Sequence, residues 1–475
     1  MKLTYDINER PPKKQNLLFA FQQMIAIMAA TLLVPILMSL YGLPSDPAAA
    51  LFGAGIGTLV YIFCTKRRSP VFLGSTFTFL GAYGASIGAG YGYWGVMIGV
   101  GFAALVYVIV ALVIKAVGSA WINKLMPAAI AGPIVALIGL SLSGTATGWM
   151  STNGGDVYSL LYILIGVITF FAIVFCSVRG TESMKRVPFI YGIGLGYVLS
   201  LILTLIGKAT GCAALEIMSF QPFKDAFGTV TFESFLAVPK FYLLEGIRTS
   251  GEYAKLDGNA IVNIAFMYVP IAIVELAQHT GDHKNLGNII GKDLITDPGL
   301  DKTLIGDGLG SFIGTVFGSC ANTTYGESIA CTAITGNAST YTIGTAAIGC
   351  MLLSFFTPFV AVINSIPKCV MGGACVALYG FIAVSGLQLI SKIDLGDNRN
   401  LYPVAAILVC GIGGLTLDFG TNPATGGALI SFTSLAVALV VGILTRKIVG
   451  QGAENESIGK MVETMGEVEL TEDEK

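Results

Sequence analysis

The sequence predicts an all-α polytopic membrane protein with fourteen spans. Three observations predict it. Charge is scarce, apolar runs follow one another along almost the whole length, and two runs are interrupted by short polar breaks at corresponding places. Only 12% of residues are charged and 54% are hydrophobic, with a mean hydropathy of +0.76. Soluble domains carry about 25% charged residues. Sixty glycines suit close helix packing and broken helices. The net charge of −2 leaves no basic surface for nucleic acid. The nine cysteines include no C-x-x-C pair, and two histidines exclude a His-rich metal site. No cofactor is expected.

Residues 1–15 carry Lys2, Arg10, Lys13 and Lys14 with two prolines and read as a cytoplasmic arm. The start is long and the first apolar run is of spanning length, so no cleavable signal peptide is expected. Apolar segments follow at 17–41, 47–64, 70–90, 93–117, 125–143, 157–177, 187–207, 259–281, 303–319, 320–335, 341–366, 368–388, 401–420 and 424–445. Several are shorter than the ~20 residues of a simple span. With the N-terminus inside, the inside loops hold Lys66, Arg67, Arg68, Lys115, Lys124, Arg179, Lys185, Arg186, Lys284, Lys292, Lys302, Lys392 and Arg399. That charge bias puts both termini in the cytoplasm of a multi-pass plasma (inner) membrane protein. The loop 208–258 is then extracellular, and 448–475 is an acidic solvated tail.

The interrupted segments carry the functional signal. Residues 317–335 read FGSCANTTYGESIACTAIT, with Ser319, Asn322, Thr323, Thr324, Tyr325, Gly326 and Glu327 close together. Asn, Thr and Gly in succession are poor material for a lipid-facing helix. Backbone amides at bilayer depth need partners, so a broken element facing a small polar ligand fits. Glu327 is a functional-site candidate because an ionisable group there is costly; the alternative is a re-entrant loop with a solvated Glu. The stretch GSTFTF at 74–79, with Thr76 and Phe77, is a similar break. MPAAIAG at 126–132 and IPKCVMG at 366–372 repeat Pro and Gly at one spacing. The breaks fall in the third and tenth spans and the Pro–Gly segments in the fifth and twelfth. An odd offset of seven spans inverts the second copy, and paired interruptions in inverted halves point to a transporter site.

Glu275, Gln278, His279 and Asp282 stand at i, i+3, i+4 and i+7 on the eighth span. That places them on one helix face, which must look into protein or water. Asp307 is a further carboxylate in or beside a span, read either as structural or as part of a coupling path.

NTTYGE at 322–327, PVFLGSTF at 70–77, KDLITDPGL at 292–300 and VMGGACVALYG at 370–380 resemble the nucleobase–ascorbate transporter family, most of all its bacterial uracil and xanthine permeases. The resemblance covers roughly residues 15 to 447. It implies two inverted repeats of seven spans, with short strands at the breaks in spans three and ten. It also implies core domains at 16–118 and 259–366 and gate domains at 119–207 and 367–447. By position it makes Glu327 the carboxylate that accepts from the base. Gly326 and Phe77 become residues whose backbone N–H groups bind base carbonyls, and Tyr325 and Tyr379 become aromatics near the ring. Thr76 belongs to the same break. One departure stands out: uracil permeases of this family carry Glu in an Ala-Glu-His-x-Gly context, and here the position is Gln278. An ionised carboxylate only accepts, whereas an amide donates and accepts. Gln278 therefore favours a different edge order and takes up no proton, and Glu275 stands one turn earlier as a partial replacement for the missing carboxylate.

The function expected is import of a nucleobase, uracil first, by proton symport with alternating access. The proton carriers are drawn from Glu327, Asp282, Glu275, Asp307 and His279. A purine permease for xanthine or uric acid, or sodium as coupling ion, is the alternative. A channel needs a continuous polar lining. An enzyme needs a nucleophile or metal cluster, and an anion carrier needs basic residues at the breaks. The partners expected are the base, the lipid bilayer and a second copy in a homodimer.

Overall fold

The computed structural model of the chain describes residues 3–39, 42, 45–118, 121, 127–181, 184–185, 187–249, 251, 256–318, 320–421, 428–450 and 452. Lys2, Lys124, Met126, Arg186, Ser319 and all of the acidic tail except 448–450 and 452 lie outside them. The chain is mostly helical. The first half holds α1 (Lys13–Ser39), α2 (Pro47–Cys64), β1 (Leu73–Ser75), α3 (Leu80–Gly88), α4 (Gly92–Val117), α5 (Ala128–Ser141), α6 (Ser143–Thr152), α7 (Leu160–Val178) and α8 (Pro188–Thr210). Two short helices follow, α9 (Gln221–Phe227) and α10 (Tyr242–Arg248). The second half holds α11 (Gly258–Ile290), α12 (Leu300–Gly318), β2 (Asn322–Thr324), α13 (Gly326–Thr335), α14 (Thr340–Leu353) and α15 (Thr357–Ser365). It ends with α16 (Lys368–Ile390), α17 (Asn398–Ile412), β3 (Leu417–Thr421), β4 (Ala428–Phe432) and α18 (Ser434–Val449). Among the described residues, eight helical rods are long and apolar enough to cross a membrane, α5 and α6 counting as one.

Glycine sets how closely these rods approach. α2 lies against α12, and a Cβ on Gly57 would sit 2.6 Å from the Gly310 carbonyl oxygen. α5 lies against α16, and a Cβ on Gly139 would sit 2.5 Å from the Tyr379 carbonyl oxygen. Without a hydrophobic drive between helices in lipid, such backbone contact is a main source of association. α1, α2 and α4 pack with α11, α12 and α14, while α5 to α8 pack with α16 and α17. The two sets meet where α11 touches α5, α18 and β4.

Three local readings change. The spans expected at 401–420 and 424–445 are the shorter helices α17 and α18, joined by the antiparallel hairpin β3–β4. Gly414 turns with φ +70, and Leu417, Asp418 and Phe419 then alternate apolar and polar, the strand period. The span expected at 341–366 is split into α14 and α15, with Pro358 restarting the helix at its first turn. The described residues of 208–258 include short helices packed on the helical rods. Trp94 Nε1 donates to the Gly246 carbonyl at 2.9 Å, and the Phe241 ring lies 4.9 Å from Phe52 and 5.6 Å from Phe317.

The N-terminal arm is tied down. Thr4 N donates to Gly336 O at 2.8 Å, Ala338 N to Tyr5 O at 2.9 Å and Thr340 N to Ile7 O at 3.0 Å. Lys292 pairs with Asp6 at 2.6 Å, which holds the Asp6 carboxyl below its ordinary range.

Candidate functional site

Both polar breaks unwind into three-residue strands, and the strands pair with each other. Leu73 faces Thr324, Gly74 faces Thr323 and Ser75 faces Asn322 in an antiparallel ladder. Thr76 N continues it by donating to Ala321 O at 3.0 Å. Side chains satisfy four further backbone N–H groups around the ladder. Leu73 N donates to Thr58 Oγ1 at 2.9 Å, Phe72 N to Ser328 Oγ at 3.0 Å, Ala321 N to the Tyr83 hydroxyl at 2.7 Å and Asn322 N to Ser311 Oγ at 3.1 Å. An unmet group at this depth costs several kcal/mol, so these Ser, Thr and Tyr residues are what permit unwound chain in an apolar setting. Gly74 is needed for packing, since a Cβ there would meet the Tyr325 ring at 2.6 Å.

Each strand leads into a short helix. Tyr325 caps α13, so Gly326 and Glu327 lie in its first turn. The first N–H groups of a helix have no intrahelical partner and carry its positive end. On the other side, Leu80 N donates to Phe77 O at 3.1 Å as α3 begins. A cavity of about 1060 Å³ opens over the start of α13 and the segment 76–78 that leads into α3. Thr76, Phe77, Gln278, Tyr325, Gly326 and Glu327 line it. Asp282 lines it too, and accepts from Thr324 Oγ1 at 2.7 Å.

Four expected site residues stand elsewhere. Tyr379 is buried behind Phe77, their rings edge to face at 5.8 Å. Glu275 is buried, and its Oε1 accepts from Thr76 Oγ1 at 3.4 Å. His279 and Asp307 are buried beyond the ladder, with Nδ1 and Oδ2 at 2.6 Å. The helical spacing of 275, 278, 279 and 282 thus divides between the cavity wall and the interior. A face about 100° wide touches more than one neighbour.

The structure also adds residues. Ile25 and Ala26 of α1, Thr323, and Leu378, Phe381, Ser385 and Gln388 of α16 line the cavity. Phe381, Ser385 and Gln388 stand at i, i+4 and i+7, so helical spacing was the available signal. Ile25 and Ala26 carry none. Lys185, Lys284 and Lys392 line the cavity near the ends of α8, α11 and α16, and no described residue of 208–258 does.

A family model described as "Permease family" matches residues 14–419. The chain is 36% identical to a uracil permease of Bacillus caldolyticus, covering 96% of this chain and 97% of that one. It is 31% identical to a uracil permease of Bacillus subtilis, with 96% and 97% covered, and 33% identical to one of Escherichia coli, with 92% and 94% covered. Among solved structures, the transmembrane domain of the cyanobacterial bicarbonate transporter BicA superposes with a TM-score of 0.56 at 14% identity, covering 93% of this chain and 100% of that one. SLC26A9 superposes with a TM-score of 0.60 at 12% identity, covering 92% and 66%. These two share the fold. The chain is a multi-pass membrane transporter, not an enzyme, and it belongs to this permease family, the nucleobase–ascorbate transporters.

Proposed function

We propose that the protein imports a nucleobase, uracil first, by proton symport with alternating access. One observation carries the reading: the ladder that joins the two breaks floors a cavity whose wall presents Gln278, Glu327 and the N-terminus of α13. A flat neutral base has apolar faces and an edge of alternating donors and acceptors. Phe77 and Tyr325 offer ring contact. The N–H groups at the start of α13, the Glu327 carboxylate and the Gln278 amide meet the edge. Each unmet buried polar group costs roughly 1–3 kcal/mol, so edge matching selects the base. The uracil permeases among the relatives support uracil as the first candidate.

The set α1 to α4 with α11 to α15 acts as core, and α5 to α8 with α16 to α18 as gate, in a fourteen-span inverted repeat. The lysines at the cavity mouth support a cytoplasmic opening, because cytoplasmic ends carry the excess of Lys and Arg. The protein sits in the inner membrane with both termini inside, as a homodimer. Proton uptake by Asp282 or Glu327 would neutralise the floor for the movement. An anion carrier is the rival suggested by the BicA and SLC26A9 likeness, but the ionisable groups at the floor are acidic.

Calorimetric titration of the purified protein with uracil, xanthine and uric acid tests the reading. Saturable uracil binding is expected. Binding of none of the bases, with bicarbonate bound instead, would overturn it.

A further inference from the structure

Behind the ladder lies a second polar set that does not touch the cavity. His279 of α11, Asp307 of α12 and Thr303 of α12 are all buried. His279 Nδ1 is 2.6 Å from Asp307 Oδ2, and its Nε2 is 3.0 Å from Thr303 Oγ1. The Thr303 hydroxyl has a further partner within reach, the Leu300 carbonyl oxygen at 3.2 Å.

A hydroxyl donates once and accepts as well, so it meets the ring in two ways. Turned toward Nε2, it donates, and the neutral ring donates from Nδ1 to an ionised Asp307. Turned toward Leu300 O, it accepts from Nε2–H, and the short Nδ1···Oδ2 contact then holds a proton of its own. The second arrangement carries one proton more with every heavy atom in place. The pair goes from a net charge of −1 to 0, and a lone buried charge is the costly form.

The surroundings are mostly titratable. Glu275 and Asp282 share α11. Tyr107 of α4 sits edge-on to the His279 ring, with centroids at 6.3 Å. His283 lies tilted beside it, with centroids at 4.2 Å, and the Tyr61 hydroxyl of α2 lies 2.7 Å from His283 Nε2. His283 has less freedom, since its Nδ1 donates to the His279 carbonyl at 2.8 Å.

We propose that His279, Asp307 and Thr303 form a proton-holding site of the transport cycle, separate from the cavity carboxylates, in which the Thr303 hydroxyl is the rotor that lets the pair load and unload in place. The proposal rests on the proton-coupled reading above. It supplies a buried proton site on α11 beside Gln278, which takes up none itself. Gln278 lines the cavity, so substrate and proton bear on one turn of one helix.

The chain has only two histidines, so ring ¹⁵N spectra of ¹⁵N-histidine protein report His279 and His283 alone, and His283→Gln assigns them. The His279 ring is expected to titrate over the pH interval in which ΔpH-driven uracil accumulation into proteoliposomes changes. In Thr303→Val that titration is expected to move by at least about one pH unit, and the ratio of accumulation to uracil exchange to fall about tenfold. Thr303→Ser is expected to restore both. A wild-type His279 ring that stays unchanged across the interval overturns the proposal, as does a Thr303→Val protein with the wild-type pH profile. Should Thr303→Val fail to fold, the wild-type ring titration decides alone. That spectrum uses no substrate, so absence of uracil exchange in the wild type refutes the functional reading and leaves the ring measurement intact.

Discussion

Gly74 faces Thr323 across a two-strand ladder, one residue from each polar break of the chain. The pairing brings the segment 76–78 and the start of α13 to a common cavity. It also sets Glu327 and Gln278 in one wall, and the first predictions concern these two.

Glu327→Gln removes the charge and keeps the shape. Uptake of the transported base is expected to fall by at least about a hundredfold, since a hydrogen bond to a charged group is worth roughly 1.5–3 kcal/mol and a proton acceptor goes with it. Size-exclusion elution and thermal stability in detergent are expected to match the wild type. Near-normal uptake by this variant counts against the site.

Gln278→Glu replaces an amide by the carboxylate that the family resemblance leads one to expect at this place. The order of affinity for uracil, xanthine and uric acid is expected to change, with individual bases moving about tenfold, or about 1.4 kcal/mol. Competition binding with the three bases reads it. An unchanged order means Gln278 does not contact the edge.

Coupling is read by dissipating gradients. A protonophore is expected to collapse accumulation in cells, and replacing sodium by potassium is expected to leave it unchanged. Accumulation that follows sodium instead assigns the coupling to that ion.

The arm gives a pH prediction outside the membrane. Asp6 is held below its ordinary range by Lys292, so the pair stabilises the arm at neutral pH. That contribution is present above the unfolded carboxyl value of about 4 and is lost as pH falls through the lower folded value. Both partners are part exposed, so the pair is worth at most about 1 kcal/mol. Lys292→Met is expected to speed amide exchange at Ala338 and Thr340 a few-fold at neutral pH, and acid below about pH 4 to do the same in the wild type. Equal exchange in both proteins at neutral pH means the backbone bonds alone hold the arm.

Composition and order were enough to read the membrane class, the two interrupted elements and part of the cavity wall. A run such as Asn322 to Glu327 has no low-energy continuous helical form in lipid, and that constraint is local. Thr76, Phe77, Gln278, Asp282 and Glu327 were legible for the same reason: polar or interrupted positions stand out against an apolar background. The hairpin at 417–432 was not, because apolar residues in alternation resemble an apolar span until the turn at Gly414 is known. Which side of α11 each polar residue meets was decided only by packing. Gln278 and Asp282 reach the cavity, while Glu275 and His279 are enclosed by neighbours that arrive from elsewhere in the chain. Helical spacing places side chains around an axis, but only the helices that close over that axis determine which of them stay wet.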